Sequence, residues 1–306
     1  MAVPIHQKHP PLNSENSFLT AGVRAMFLST LAFSLANILV KQVSHIPAME
    51  VVFFRCSIAS VFCFVGLHRA GADWKGSNRK MLFLRGFFGT TALFLFFTTL
   101  QNIPLASAMT IQYLSPIFTS VIAIFVLGER VRNRQCLFYA IAFSGVLLIE
   151  EFDPQTSLLF LTLGVISAFC SGMAYNLVRS LRGKEHPLTV VLHFQLTGAI
   201  AGSIALFFTW RTPVGWDWMY LFLIAVFSQL GQIFLTSALQ KEPVAGVAIV
   251  NYTGLIYALF VGSFWFGETQ TPGSFAGMLL VVFGVLLSVI YSKRMRNLEK
   301  IESTVN

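Results

Sequence analysis

The chain has 306 residues, 55% of them hydrophobic and only 11% charged, and a mean hydropathy of +0.70, whereas about a quarter of a soluble domain's residues carry charge. This excludes a disordered chain and an ordinary soluble enzyme. It suits a polytopic membrane protein, because at about 20 residues per span of a ~30 Å hydrocarbon core the length holds ten spans and no large soluble domain.

The first 19 residues are polar, contain Pro4, Pro10 and Pro11, and lack the apolar stretch of a signal peptide; they read as a disordered cytoplasmic tail. Apolar runs bounded by charge, Pro or Gly then predict spans at 23–40, 49–67, 81–100, 105–127, 136–149, 158–178, 188–208, 219–239, 244–266 and 275–291. The fifth has a strictly apolar run of only 14 residues, and a re-entrant segment competes there with a true span. A polar connector, 151–157, follows the fifth span, and a basic cytoplasmic tail, 293–306, follows the tenth. Cys56, Cys63, Cys136 and Cys170 lie in apolar stretches and match neither a zinc spacing nor a disulfide framework.

The basic residues orient this chain. With a cytoplasmic N-terminus and ten spans, 18 of the 21 Lys and Arg fall on the cytoplasmic side, Arg79, Lys80 and Arg85 among them. Lys41 and Arg211 fall outside, and Arg55 lies within the second span. Both termini are therefore expected in the cytoplasm. The net charge of +8 is explained by orientation, with no nucleic-acid partner. Trp210, Trp216, Trp218 and Trp265 sit at expected outer span ends, where an aromatic belt belongs.

A shift of 139 residues lays 100–131 on 239–270 without a gap, with nine of 32 positions identical in an LQxxPxA…Y…GE register. Each half holds five spans, and an odd number inverts the second half. The expected fold is thus all-α, ten transmembrane helices in two inverted five-helix repeats, 20–150 and 158–292.

The stretch RGFFGTTALFLFFTTLQNIPLASAMTIQYLSPIFTSVIAIFVLGERV (85–131) resembles the EamA-type members of the drug/metabolite transporter superfamily. The shared features are the Arg-Gly opening of the third helix, the Pro-Leu-Ala entry to the fourth, its Ser-Pro, and the Gly-Glu-Arg exit. Met49–Arg55 resembles the start of their second helix, and the resemblance covers 20–292. The first half is also similar to the S-adenosylmethionine uptake branch and its animal relatives. The second half departs, with Gly254-Leu255 in place of Ser115-Pro116 and Thr269 after Glu268. The resemblance implies an alternating-access carrier of small metabolites with a central cavity.

Polar groups inside spans are costly unless they face protein or water. The substrate-binding candidates are Asn37, Arg55, Gln112, Tyr113, Ser115, Asn176, His193, Asn251 and Tyr252, with Gln195, Gln229 and Gln232 as further mid-span amides. Gln112-Tyr113 and Asn251-Tyr252 are repeat mates, expected to flank the midplane from opposite sides; interhelical glue is the competing role. Arg55, six residues after Met49 and so about 9 Å deep, either binds an anionic substrate group or pairs structurally with Glu50 or backbone carbonyls. Ser115-Pro116 predicts a kink, Glu129 and Glu268 read as groups at helix ends, and His193 is a candidate for proton coupling or packing.

Walker, nucleophile-elbow and His-Glu-x-x-His motifs do not occur, and no cofactor or metal is expected. The expected function is secondary transport of small organic metabolites, amino acids or related compounds, by export across a bacterial inner membrane. Uptake of S-adenosylmethionine or a similar nucleoside-like compound is the alternative, and an integral membrane enzyme or lipid scramblase is the reading from another class. Expected partners are a small-molecule substrate and the bilayer, with the chain a monomer or homodimer.

Overall fold

A computed structural model describes residues 20–127, 133–152, 157–241, 250 and 253–305, and all regular structure among them is helical. The elements are α1 (Ala21–Gln42), α2 (Ala48–Ala70), α3 (Arg79–Asn102), α4 (Leu105–Gln112), α5 (Ser115–Leu127), α6 (Asn133–Phe152), α7 (Leu158–Ser180), α8 (Pro187–Thr209), α9 (Asp217–Lys241), α10 (Thr253–Trp265) and α11 (Pro272–Val305). Among the described residues, eight stretches are long and apolar enough to cross a membrane, with α4 and the start of α5 counted as one, Leu105–Ala123. The shorter apolar stretch Cys136–Ile149 coincides with the expected fifth span, and Thr253–Trp265 covers the later part of the expected ninth, most of whose start lies outside the described residues.

The helices outrun the apolar stretches that announced them. α2 continues past Leu67 through His68 and Arg69 because backbone hydrogen bonding persists where side chains reach the headgroup region, and Gly71 ends it in the left-handed conformation at φ 61°. α11 continues to Val305, well beyond the expected end of its span at 291.

The surface has the inverted polarity of a membrane protein: Phe207 is 88% exposed and Phe264 79%, while Asn37, Gln195, Gln229 and Gln232 are buried. Hydrocarbon gives no hydrophobic drive between helices, so close backbone approach matters. A Cβ on Gly198 would lie 2.5 Å from Cys56 Sγ, and one on Gly202 would lie 2.7 Å from Phe53 Cβ, so α8 sits directly against α2.

The pairings cross the halves. α1 packs on α9, α3 on α7, α2 on α8, and α6 on α11. The last pair is the closest: a Cβ on Gly145 would meet Gly277 O at 2.5 Å, and one on Gly284 would meet Ala142 N and Phe138 O at 2.7 Å.

Candidate functional site

The site starts from a proline. Pro116 has no N–H to give Gln112 O, and its ring crowds that carbonyl, so a continuous helix through it is unfavourable by about 3 kcal/mol. The chain breaks instead: α4 ends at Gln112, Leu114 N donates to Ile111 O at 3.0 Å, Ile117 N donates to Leu114 O at 2.9 Å, and α5 begins at Ser115. The expected kink is therefore a full interruption at Tyr113-Leu114.

At this break the helices line a cavity of about 150 Å³. Its polar lining comes from Asn37 on α1, Arg55 on α2, Arg85 on α3, Gln112, Tyr113 and Ser115 at the break, Ser171 and Tyr175 on α7, and Ser228 and Gln232 on α9. Phe33, Phe96, Phe97 and Phe194 supply aromatic walls. Gln112 is held in both senses: its Nε2 donates to Ser171 Oγ at 2.7 Å and its Oε1 accepts from Ser167 Oγ at 3.0 Å. Asn37 Nδ2 lies 3.6 Å from Met109 Sδ. A Cβ at Gly254 would lie 2.6 Å from Tyr113 Oη, so the α10 backbone closes on that ring.

Five of the expected site residues, Asn37, Arg55, Gln112, Tyr113 and Ser115, thus line one cavity. Asn251 and Tyr252 lie outside the described residues, as does Glu129. Asn176 is absent from the lining: its Nδ2 donates to Thr119 O at 2.9 Å and Gly172 O at 3.1 Å, tying α7 to α5. His193 is also absent from it, with its Nδ1 3.0 Å from Thr189 O. Gln195 donates to Gln229 Oε1 at 2.9 Å, the interhelical role weighed for such amides.

Arg85 is the residue that sequence reasoning misplaced. It was counted with the cytoplasmic charges beside Arg79 and Lys80. α3 begins at Arg79, so Arg85 lies six residues, about 9 Å, inside the helix, and it is only 3% exposed. The signal was available: Met81-Leu82-Phe83-Leu84 places four apolar residues ahead of it. With Arg85 moved into its helix, the expected topology has 17 basic residues on one side, two on the other and two within spans.

Arg55 (2% exposed) and Arg85 each keep Nε and Nη1 buried without a hydrogen-bond partner among the described residues. The suggested pairing of Arg55 with Glu50 does not form; Glu50 Oε2 instead accepts from Arg211 N at 2.9 Å. Both guanidinium groups lie near the Phe194 ring, with Arg55 Cζ 5.4 Å and Arg85 Cζ 4.5 Å from its centroid. Their separation is therefore at most about 10 Å, and at an effective dielectric of about 20 they repel by at least about 1.7 kcal/mol. Desolvation adds several kcal/mol per ion, while a cation–π contact returns roughly 0.5–2 kcal/mol. A cavity that holds two such charges stabilises an anion.

The ends of the bundle are tied differently. Glu268 accepts from Leu105 N with Oε1 at 3.0 Å and Oε2 at 2.8 Å, and its Oε1 lies 3.2 Å from Lys41 Nζ. Pro104 supplies no capping side chain to α4, so a carboxylate from the other half takes the exposed N–H. At the opposite end, Glu185 accepts from Asn78 N at 2.6 Å, Ser77 N at 2.7 Å and Ser77 Oγ at 2.8 Å. Burial pushes the Glu185 carboxyl up, but these hydrogen bonds and nearby His193 together outweigh it and hold the group below its usual range.

The EamA-like transporter family model matches twice, over residues 20–150 and 158–290. Among curated proteins, the pseudopaline exporter CntI of Pseudomonas aeruginosa is 30% identical over 270 residues, covering 86% of this chain and 94% of the exporter. Human solute carrier family 35 member G1 is 28% identical over 85% of this chain and 76% of its own length. The S-adenosylmethionine uptake transporter of Rickettsia felis is 23% identical over 94% and 98% of the two chains. A solved crystal structure at 16% identity matches the fold with a TM-score of 0.64 over 90% of this chain and 98% of its own. The relatives named are transporters rather than enzymes, and the chain is a membrane protein of the EamA-like transporter family.

Proposed function

We propose that this protein is a secondary transporter that exports small carboxylate-bearing metabolites, amino acids or related compounds, by alternating access between two inverted five-helix halves. The observation that carries this reading is the cavity where both halves converge on the broken α4–α5 segment, lined by buried guanidinium groups. Exchanging the halves maps α1 onto α7 and α3 onto α9, so the α1–α9 pairing becomes α7–α3, which is also present. That exchange supports an inverted repeat of ten spans, with 20–150 and 158–292 as its units. The positive-inside rule places both termini in the cytoplasm of a bacterial cell, with 17 basic residues inside and two outside.

Export follows the 30%-identical exporter. Uptake of S-adenosylmethionine has a more distant relative behind it. A sulfonium and an ammonium brought into a cavity with two guanidinium groups add like charges, which disfavours that cargo.

The test is efflux from proteoliposomes loaded with labelled amino acids and carboxylic acids. Saturable efflux above protein-free liposomes is expected. Arg55→Gln abolishes most of it, and Arg55→Lys recovers part, since an ammonium lacks the two-pronged fork. Efflux equal to the lipid leak for every compound, or an Arg55→Gln protein that transports as wild type does, overturns the reading.

A further inference from the structure

We infer that the cavity is built for a compact dianion, a metabolite whose two negative charges, on two carboxylates or one phosphate monoester, are met by Arg55 and Arg85 together. This deepens the transport reading above and rests on it. Three observations carry it.

The first is charge. The described cavity lining contains two guanidinium groups and no Asp or Glu. A monoanion would neutralise one and leave the other buried and uncompensated, and an ordinary zwitterionic amino acid would also add an ammonium. Two negative charges restore neutrality in a site where an unpaired buried charge is costly.

The second is convergence. Arg55 is seven residues into α2 and Arg85 six into α3, two helices that run in opposite directions, so the arginines enter from opposite ends of the bundle. Each descends about 9–11 Å, which leaves them flanking the middle of a ~30 Å core. Both lie at the single ring of Phe194, which holds them at most about 10 Å apart.

The third is that the backbone makes room for Arg85. A Cβ on Gly89, one turn after Arg85, would collide with Arg85 Nη1 and lie 2.8 Å from the Phe194 ring. The guanidinium thus occupies the place of a side chain on α3. The Nε and Nη1 of each arginine are buried and have no hydrogen-bond partner among the described residues, so their charge is uncompensated.

The experiment compares matched pairs of probes by thermal shift and calorimetry on the purified protein, and by flux in proteoliposomes. Succinate is set against butyrate, and glycerol phosphate against glycerol. Binding of succinate or glycerol phosphate about tenfold or more tighter than its partner is expected, from one additional charge-assisted contact. Which of the two dianions binds separates a dicarboxylate site from a phosphate site. Arg85→Gln should remove that preference, so that succinate binds no tighter than butyrate. If Arg85→Gln fails to accumulate, Gly89→Ala, which keeps the charge but displaces it, serves in its place with the same expected loss of preference.

Equal binding of succinate and butyrate, or no binding of either dianion, overturns the inference. So does an Arg85→Gln protein that keeps the dianion preference. Arg55-dependent flux of a monoanion or zwitterion that ignores Arg85 also overturns it, and leaves the transport reading standing. Loss of all flux for every compound strikes the transport reading itself.

Discussion

Replacing Glu268 with Gln should open the protein on the face that carries Lys41. The carboxylate spans three parts of the structure: α4 through Leu105 N, α1 through Lys41, and the α10–α11 connector to which it belongs. Glutamine keeps one oxygen for Leu105 N and nearly the same volume, but loses the charge that strengthens that bond and attracts Lys41. Lys41 still donates to Ile103 O at 2.6 Å, so it is not stranded. A hydrogen bond to a charged group is worth about 1.5–3 kcal/mol against about 0.5–1.5 for the neutral one that glutamine retains, so if the bond exists only in the closed form, the loss of about 1–1.5 kcal/mol raises the open-to-closed ratio roughly 5- to 13-fold. The assay uses Ser228→Cys, which lines the cavity, as reporter in a Cys136→Ser background, because Cys136 is the exposed native thiol while Cys56, Cys63 and Cys170 are buried. A membrane-impermeant maleimide added from the outer face should label the reporter faster in Glu268→Gln by about the same factor. Unchanged labelling would refute the closure. Acceleration from the cytoplasmic face alone would refute the assigned orientation.

Three further outcomes are expected. Reporter fusions at the C-terminus and at Asp153 should give cytoplasmic and external signals respectively; a cytoplasmic signal at Asp153 removes the fifth span. Arg85→Leu should leave a folded protein at least as stable as wild type by thermal melting, because an apolar side chain replaces a desolvated charge whose contact with Phe194 returns less than its burial costs; destabilisation of about 3 kcal/mol would instead reveal a structural ion pair. Glu185, with its pKa lowered in the folded state, contributes stability that is present above its unfolded value near pH 4.3 and is lost as pH falls through its lower folded value. Glu185→Gln should therefore lower the melting temperature at pH 7, and the gap from wild type should shrink below about pH 4; a constant gap across that range contradicts the linkage.

Much of the bundle was legible because a span is defined by length and apolarity. α7 and α8 begin within a residue of their expected starts at 158 and 188. Pro116 announced the break because its chemistry is local. Helix rotation was harder to read. These helices are apolar almost all round, since one side faces lipid and the other faces neighbouring helices, so no stripe marks the inner face. Nothing along the chain therefore told Asn37, which lines the cavity, from Asn176, which ties α7 to α5. Arg85 was lost differently: a basic residue near a basic cluster resembled part of it, although the four apolar residues before it placed it within the membrane. The Glu268 contact with Leu105 joins positions 163 apart and follows from the fold alone.

The glycine-lined contact of α6 with α11 has a mechanical consequence. Each helix closes its own half of the chain, and their backbones touch at Gly145, Gly277 and Gly284 with no side chain between them that could yield. This seam joins without a covalent bond the two halves that the short connector after α6 joins with one. A chain severed at the connector should accordingly reassemble from two separately made pieces. Any movement that opens the cavity must pivot about a seam that stays shut, so α6 and α11 serve as the axle and the other helices as the parts that turn.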